Sequence, residues 1–172
     1  IETLTQRVTA LGASIVLNSR VHSITKSGHH YHVHSNDKQY ECDAIVVASP
    51  ARHSAPFIHD LDKRASELLA EWTHASVVLI TLAVPAKDWP AQLTGSGYLV
   101  PKPDQRWVTA ASFGSNKWAH WRPADGSMIL RVSLGRDGLD VMHFDDDKLL
   151  NLALADLKHH LGFDIEPTEV RI

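Results

Sequence analysis

An apolar segment at residues 44–48 is the feature of this chain that most constrains its fold. Its sequence, Ala-Ile-Val-Val-Ala, runs directly into Ser49-Pro50-Ala51, and a helix is expected to follow that proline turn. A short apolar run that ends at a turn is typical of a buried β-strand. Such a strand needs neighbours, which residues 13–24 and the strand after the polar loop 26–28 can supply. We therefore predict that residues 1–55 contribute several strands to an α/β domain.

The positions of the glycines limit how much of such a domain this chain can form. The strand, turn and helix correspond to half of a dinucleotide-binding domain, but no Gly-x-Gly-x-x-Gly phosphate turn occurs in the chain. The first residue is Ile1 rather than Met, and a helical pattern of Leu4, Val8 and Leu11 is already under way. We expect the chain to be the middle of a larger protein, and we expect the chain alone not to hold a dinucleotide.

Composition narrows the class of protein. The apolar content of 44% over 172 residues is enough for a packed core. A net charge of -3, from 17 basic and 20 acidic residues, argues against nucleic-acid binding and against a polybasic membrane patch. The single cysteine, Cys42, excludes an internal disulfide and a cysteine-based zinc site. No apolar run reaches the roughly 18 residues of a membrane helix. We expect a cytoplasmic protein and leave peripheral membrane contact open.

The remaining pattern predicts helices around an antiparallel sheet. Short strands separated by Pro, Gly and Asp turns are typical of such a sheet, and Gly162 is expected to end the last helix. The predicted strands are 14–17, 20–25, 30–34, 39–42, 44–48, 75–84, 98–100, 107–113, 127–134 and 168–172, and the later helices are 61–72 and 145–161. The predicted class is therefore α+β, with part of a cofactor domain in residues 1–55 and a second domain, containing the antiparallel sheet flanked by helices, in residues 56–172.

Three alternating histidines, His30, His32 and His34, point to one face of a predicted strand. They could be metal ligands, or they could form a solvated outer face. The neighbouring strand offers no matched ligand pair at tetrahedral spacing, which favours the solvated face. Ser49 does not lie in a Gly-x-Ser-x-Gly turn, so a serine hydrolase is disfavoured.

The segment Gly95-Ser96-Gly97-Tyr98-Leu99-Val100-Pro101 is predicted to be a turn that leads into a strand. It is not a phosphate loop, because no Lys-Ser or Lys-Thr pair and no helix follow it. Its two glycines fit an ordinary hairpin, and they would also let a flat ligand approach the backbone closely.

Aromatic and basic residues are interleaved in the antiparallel block. The aromatic residues, which can fill a core or line an apolar pocket, are Tyr98, Trp107, Phe113, Trp118 and Trp121. The basic residues Lys117, Arg122, Arg131 and Arg136 fit either a charged surface or a flat ligand edged with carboxylates. Strand alternation places Arg131 and Ser133 on one face, where we expect them to border a cavity.

Six segments, taken in order, resemble the protoporphyrinogen oxidase family, and most closely its bacterial coproporphyrinogen-oxidising members. They are the strand around Val21, residues 43–51, residues 75–82, residues 95–101, Ser115-Asn116-Lys117-Trp118, and residues 130–136. Each segment alone is only weakly specific for this family. All six occur in the order that the family has, and together they span nearly the whole chain.

The resemblance implies an FAD-binding domain into which a substrate domain is inserted. It places Val21 near the adenine of FAD, and Ala48, Ser49 and Pro50 near the cofactor where the chain crosses between domains. Ser49 stands where the family pattern favours threonine, a change that keeps the hydroxyl group.

The resemblance also implies a tetrapyrrole pocket at Ser96, Leu99 and Ser133, and the glycine turn adds Gly97 as a candidate contact. Several relatives carry phenylalanine and methionine in place of the two serines, which puts the shape of the pocket in doubt. Lys117 and Arg131 would hold a propionate, with Arg122 and Arg136 as weaker candidates. We expect Gly97→Val to lower substrate affinity more than stability.

The implied reaction removes hydrogen from a porphyrinogen, with FAD as cofactor, dioxygen as oxidant and hydrogen peroxide as product. No general base is assigned in this chain. Two alternatives stay open at this point: another flavin amine oxidase, such as a desaturase or a monoamine oxidase relative, and a non-enzymatic ligand-binding α+β domain. The sequence does not distinguish coproporphyrinogen from protoporphyrinogen, or a monomer from a homodimer.

Overall fold

The computed structural model describes residues 1–36 and 38–172. The chain forms two compact units, residues 1–73 and 74–172. Helices and antiparallel sheets occur in both, which confirms the predicted α+β class. The division into a cofactor domain and a substrate domain after residue 55 stays a prediction, since compact units need not coincide with ligand-binding domains.

The first unit contains a three-stranded antiparallel meander and three helices. The elements are α1 (Glu2–Ala10), β1 (Val21–Ser27), β2 (His30–Ser35), β3 (Lys38–Cys42), α2 (Ala51–Ile58) and α3 (Lys63–Glu71). The Asp62 side chain caps α3 by accepting a hydrogen bond from Ala65 N at 2.9 Å. The Ser66 hydroxyl donates to Ala55 O at 2.8 Å and so ties α3 to α2.

Two predicted strands are wrong. Residues 14–17 and 44–48 form no strand and pair with no strand in the described part of the chain. Val46 is 92% exposed, although its apolar run predicted burial on both faces. An extended segment becomes a strand only when a neighbour satisfies its backbone groups, and the residues proposed as neighbours pair elsewhere, β1 with β2 and β2 with β3.

The three histidines of β2 each have a different polar partner. His30 Nδ1 lies 3.1 Å from Asp43 Oδ1, His32 Nδ1 lies 2.9 Å from Gln39 Nε2, and His34 Nε2 lies 3.3 Å from Thr25 Oγ1. Within residues 1–36 and 38–172, no group of His, Cys, Asp and Glu side chains is arranged to hold a metal ion.

The second unit is a five-stranded antiparallel sheet with a long helix. The elements are β4 (Val78–Val84), β5 (Gly97–Leu99), β6 (Val108–Phe113), α4 (Gly114–Lys117), β7 (Met128–Leu134), α5 (Asp146–Leu161) and β8 (Glu169–Arg171). The strands lie in the order β5-β6-β7-β4-β8. The strands predicted in residues 75–172 are confirmed, with shifts of a few residues at their ends.

One face of this sheet packs against α5. The alternating residues Ile80, Leu82, Leu130 and Val132 are fully buried, and they share a core with Leu149, Ala153 and Leu157 of α5. The helix begins and ends as predicted: the Asp145 side chain accepts from Lys148 N at 2.8 Å, and Gly162 adopts a left-handed conformation with φ 83°. The side chains that alternate with these core residues therefore lie on the other face of the sheet.

Among the residues that the structure describes, none of the helices has the length and the apolar character needed to cross a bilayer.

Candidate functional site

The uncovered face of the five-stranded sheet carries two rows of residues, which are small, polar or basic except for a leucine at each end of the second row. Strand register places Gly97, Ser112, Arg131 and Thr81 in one row, and Leu99, Ala110, Ser133 and Leu79 in the next. Leu99 is 82% exposed, although large aliphatic side chains are usually buried. This face is a candidate surface for an apolar ligand.

A cavity of about 360 Å³ lies on this face. All six residues predicted to contact a substrate line it: Ser96, Gly97, Leu99, Lys117, Arg131 and Ser133. Ala110, Ala111 and Ser112 of β6 complete its floor. The structure thus brings together residues that are up to 37 positions apart in the sequence, from Ser96 to Ser133. Their roles as ligand contacts stay a prediction.

Gly97 has a structural role that the sequence analysis did not anticipate. Its φ of 134° is one that residues with side chains rarely adopt, and a Cβ at this position would lie 2.2 Å from Ala111 O and 2.8 Å from Ser112 Cα. Any side chain would therefore collide with the backbone of β6. The expectation that Gly97→Val acts on affinity more than on stability is corrected, because the glycine is required for β5 to pair with β6.

The Ser115-Asn116-Lys117-Trp118 segment covers most of α4 and the residue that follows it, and it is fixed by two polar side chains. Asn116 Nδ2 donates to Leu93 O at 3.0 Å and to Gly95 O at 2.9 Å, which ties α4 to the turn before β5. The Ser115 hydroxyl donates to Trp121 O at 3.0 Å and accepts from Ile129 N at 2.9 Å. These contacts hold Lys117 at the edge of the cavity, and nothing in the sequence pattern had identified Asn116.

A second cavity, of about 470 Å³, adjoins the first and shares Ser112, Lys117 and Arg131 with it. Its other lining residues are Trp118, His120 and Trp121. The Arg131 guanidinium lies 4.7 Å from the centre of the Trp121 ring, and Lys117 Nζ lies 5.5 Å from that of Trp118. The two shared cations therefore mark the boundary between the cavities.

The other two candidate cations are engaged elsewhere. Arg122 Nε donates to Ser115 O at 2.8 Å, and Arg136 Nη1 donates to Asp137 O at 2.7 Å. Neither lines the two cavities at the sheet face. Of the four basic residues singled out in the sequence, only Lys117 and Arg131 are placed to meet a ligand there.

The aromatic residues divide between the core and the cavities. Tyr98, Phe113 and Trp107 pack in or against the core, with the Tyr98 and Phe113 rings 6.2 Å apart. Trp118 and Trp121 line the second cavity. Both alternatives offered by the sequence therefore hold, and Tyr98, which packs against the core and also lines the first cavity, belongs to both groups.

Tyr98 has a strongly perturbed acidity. Its hydroxyl lies 3.1 Å from His160 Nδ1, and burial together with the Asp156 carboxylate raises its pKa to about 12. The phenol therefore stays protonated throughout the neutral range, and Tyr98 is no candidate for a general base.

The Tyr98 phenol is expected to lose its proton only at high pH. Because its folded-state pKa is raised from 10.0 to about 12, its contribution to stability is complete below pH 10 and is lost as the pH rises through about 12. An ultraviolet titration of tyrosinate should show a component near pH 12 that Tyr98→Phe removes. If Tyr98→Phe removes a component near pH 10 instead, the environment described for this phenol is wrong.

The first unit contains a larger cavity, of about 1050 Å³, between β1, residues 44–49 and α2. Three of the four residues predicted to contact a cofactor line it, namely Val21, Ala48 and Ser49. Pro50 instead forms the N-terminal boundary of α2 and is not a lining residue. The Ser49 hydroxyl lies 2.8 Å from the Ser54 hydroxyl, which also donates to Ser49 O at 2.9 Å. This cavity is a candidate cofactor site.

Comparison with known proteins gives the family. Residues 1–172 match the family model described as flavin containing amine oxidoreductase. The coproporphyrinogen III oxidase of Staphylococcus aureus is 26% identical over 169 residues, which are 97% of this chain and 36% of the relative. That of Bacillus subtilis is 24% identical over 151 residues, which are 87% of this chain and 32% of the relative. The chain therefore spans about a third of the length of these curated relatives.

Solved structures show the same fold. A protein of Exiguobacterium sp. 255-15, described provisionally as a protoporphyrinogen oxidase, superposes with a TM-score of 0.69 at 23% identity, over 99% of this chain and 37% of that one. Putrescine oxidase bound to putrescine superposes with a TM-score of 0.68 at 16% identity, again over 99% and 37%. The resemblance seen in the six sequence segments is confirmed, and the chain belongs to the flavin-containing amine oxidoreductase family.

Proposed function

We propose that the protein containing this chain oxidises a porphyrinogen, either coproporphyrinogen III or protoporphyrinogen IX, to the porphyrin in haem biosynthesis. FAD is the cofactor and dioxygen the final oxidant. The observation that carries the proposal is the gathering of Ser96, Gly97, Leu99, Lys117, Arg131 and Ser133 around one cavity on the uncovered sheet face. The coproporphyrinogen III oxidases among the relatives support the choice of substrate.

The chemistry of the cavity suits a flat apolar ring with carboxylates at one edge. Gly97, Leu99 and Ala110 offer an apolar floor without bulky polar groups, and the exposed face lets a macrocycle extend beyond the cavity itself. Lys117 and Arg131 lie together at one side, where they can bind carboxylates. No carboxylate side chain lines either sheet-face cavity in the described residues, so these charges are not neutralised there.

The first unit fits one part of FAD. Its cavity combines apolar walls, such as Ile24, Val33 and Phe57, with the basic residues Arg20 and Arg52. That mixture suits a flat base joined to phosphates. The glycine-rich turn that binds the pyrophosphate in dinucleotide folds has no counterpart in residues 1–172. The residues present can therefore hold only a portion of the cofactor.

In this proposal the redox chemistry belongs to the cofactor, and the residues of this chain take no part in electron transfer. Bound FAD would supply a two-electron oxidation of the substrate in each step, with dioxygen reduced to hydrogen peroxide by those two electrons and the two protons lost from the macrocycle. The residues of this chain bind and orient the macrocycle. The titratable groups that line the first sheet-face cavity are Tyr98, Lys117 and Arg131. The raised pKa of the Tyr98 phenol keeps it protonated at neutral pH, and we assign no general base here.

A substrate comparison tests the proposal. The protein as its native host produces it would be assayed in air with coproporphyrinogen III, protoporphyrinogen IX and putrescine. We expect porphyrin to form from at least one porphyrinogen, with one peroxide for each dioxygen consumed, and we expect no continued turnover without oxygen. Oxidation of putrescine alone would contradict the proposal and favour an amine oxidase.

Residues 1–172 alone are expected to bind no FAD at stoichiometric levels and to oxidise no porphyrinogen. The reason is that the phosphate-binding turn, which supplies backbone donors to the pyrophosphate, is not part of this sequence. The measurement is the visible spectrum of the purified chain after incubation with excess FAD and gel filtration. A full flavin spectrum would show that this segment holds the cofactor unaided.

A further inference from the structure

We propose that Trp121 positions the Arg131 guanidinium as the receptor for a substrate carboxylate, and that it thereby sets a preference for carboxylated over uncharged tetrapyrroles. This inference rests on the proposed function, because it assigns the end of the site that binds the anionic edge of the ligand.

Arg131 has the geometry of a receptor. It lies in the middle strand of the sheet, in the same row as Gly97 and Ser112, and its side chain faces both cavities. No ion pair of Arg131 is found among residues 1–36 and 38–172. Its planar group lies 4.7 Å from the centre of the Trp121 ring. A guanidinium held over an aromatic ring keeps N–H donors available, and these can bind a carboxylate through two hydrogen bonds.

Trp121 is itself held in place. A Cβ added at Gly114 would lie 2.3 Å from the Trp121 ring, so the absence of a side chain at residue 114 lets the indole lie against the backbone. Trp121 N donates to Trp118 O at 3.0 Å, and Trp121 O accepts the Ser115 hydroxyl, also at 3.0 Å. Trp121 is half-buried, whereas Arg131, whose guanidinium lies over the Trp121 ring, is exposed. A fixed aromatic ring reduces the rotamer freedom that a long basic side chain loses on binding.

Lys117 provides the contrast. Its ammonium group lies 5.5 Å from the Trp118 ring, and Trp118 is 46% exposed. An ammonium is a point charge on a flexible stem, with no planar edge to match a carboxylate. Lys117 therefore adds positive charge near the site, while Arg131 supplies the directional contact. Trp121 matters because it orients the residue whose geometry is specific.

The test measures porphyrin binding to the protein as its native host produces it, in variants Trp121→Leu, Trp121→Phe, Arg131→Met and the double variant Trp121→Leu/Arg131→Met. The two probes are coproporphyrin III and its tetramethyl ester, titrated by fluorescence. We expect Trp121→Leu to weaken coproporphyrin III binding about tenfold and Trp121→Phe about threefold, with ester binding changed less than about twofold. The double variant should bind coproporphyrin III no more weakly than Arg131→Met alone, since both changes remove one interaction.

The outcomes separate the two proposals. Wild-type protein that binds neither probe would overturn the proposed function and this inference together. Binding of both probes, with the acid-to-ester preference unchanged in the Trp121 variants, would overturn only the positioning role. Equal weakening of acid and ester would have the same meaning, since loss of packing alone does not distinguish the probes. If Trp121→Leu does not fold, judged by circular dichroism, the Trp121→Phe preference decides the question.

Discussion

Asp156→Ala is expected to destabilise residues 74–172 by about 3–5 kcal/mol. Asp156 is 1% exposed, and its Oδ2 accepts hydrogen bonds from Trp107 N at 2.8 Å and Val108 N at 2.9 Å. Alanine would leave two backbone donors unsatisfied at the start of β6 and would open a gap beside α5. Arg106, whose Nε lies 3.7 Å from Asp156 Oδ1, is largely exposed and adds little to this figure.

The measurement for Asp156 is chemical denaturation of wild-type and variant chains, with Asp156→Asn as the matched control. Asparagine keeps the shape and one acceptor oxygen, so it should cost clearly less than alanine. A loss below about 1 kcal/mol for Asp156→Ala would mean that other groups satisfy the β6 donors. Destabilisation of β6 by Asp156→Ala would also affect the candidate site, because Ala110 and Ser112 of this strand form its floor.

Gly97→Val is expected to cost about 2–4 kcal/mol of stability and to abolish ligand binding as a consequence. The φ of 134° is strained for valine, and its Cβ would lie within 2.2 Å of Ala111 O. Relief of this collision requires β5 to separate from β6, with loss of the pairing from Gly97–Ser112 to Leu99–Ala110. The site would then lose the strand that carries Leu99.

The control for Gly97 is the neighbouring glycine at residue 95. An added Cβ there meets no atom within 4 Å and the backbone has no strained φ, so Gly95→Ala should leave stability almost unchanged. Thermal unfolding of the three proteins gives the comparison. Gly97→Val with wild-type stability and reduced porphyrin affinity would restore the original expectation that this change lowers affinity more than stability.

Local sequence patterns correctly predicted the strands and the long helix of the second unit. Alternation of apolar and polar residues in 127–134 predicted which side chains of β7 face the core and which face the open side, and the structure confirms both sets. The last helix is equally local, because its start and end depend on Asp145 and Gly162 themselves. Such elements need no knowledge of distant partners.

The two incorrect strands were predicted from their apolar composition. Residues 14–17 and 44–48 have the apolar composition of core strands, but composition does not determine which strand lies beside them. Residues 30–34 were predicted correctly because β2 pairs with its neighbours through short connections. The sequence analysis of this chain was therefore weakest where apolar composition predicted a strand whose proposed neighbours pair elsewhere.

The candidate site was predicted through resemblance more than through periodicity. Ser96, Leu99 and Ser133 came from matching family positions, whereas only Arg131 and Ser133 had support from strand alternation. Asp156 was missed although a signal existed: it lies on the same helical stripe as Leu149, Ala153 and Leu157, where a carboxylate needs a buried partner. Asn116 and Gly114 carried no such signal, since their partners lie in other segments.

The central claim is that the open face of the five-stranded sheet binds a tetrapyrrole. A crystal structure of the protein, prepared from its native host and bound to coproporphyrin III, tests this most directly. The account predicts that the macrocycle lies across β5, β6 and β7 in contact with Gly97, Leu99 and Ser133, with one carboxylate at hydrogen-bond distance from Arg131. A macrocycle bound away from this face, with Leu99 and Ser133 free of contact, would contradict the account.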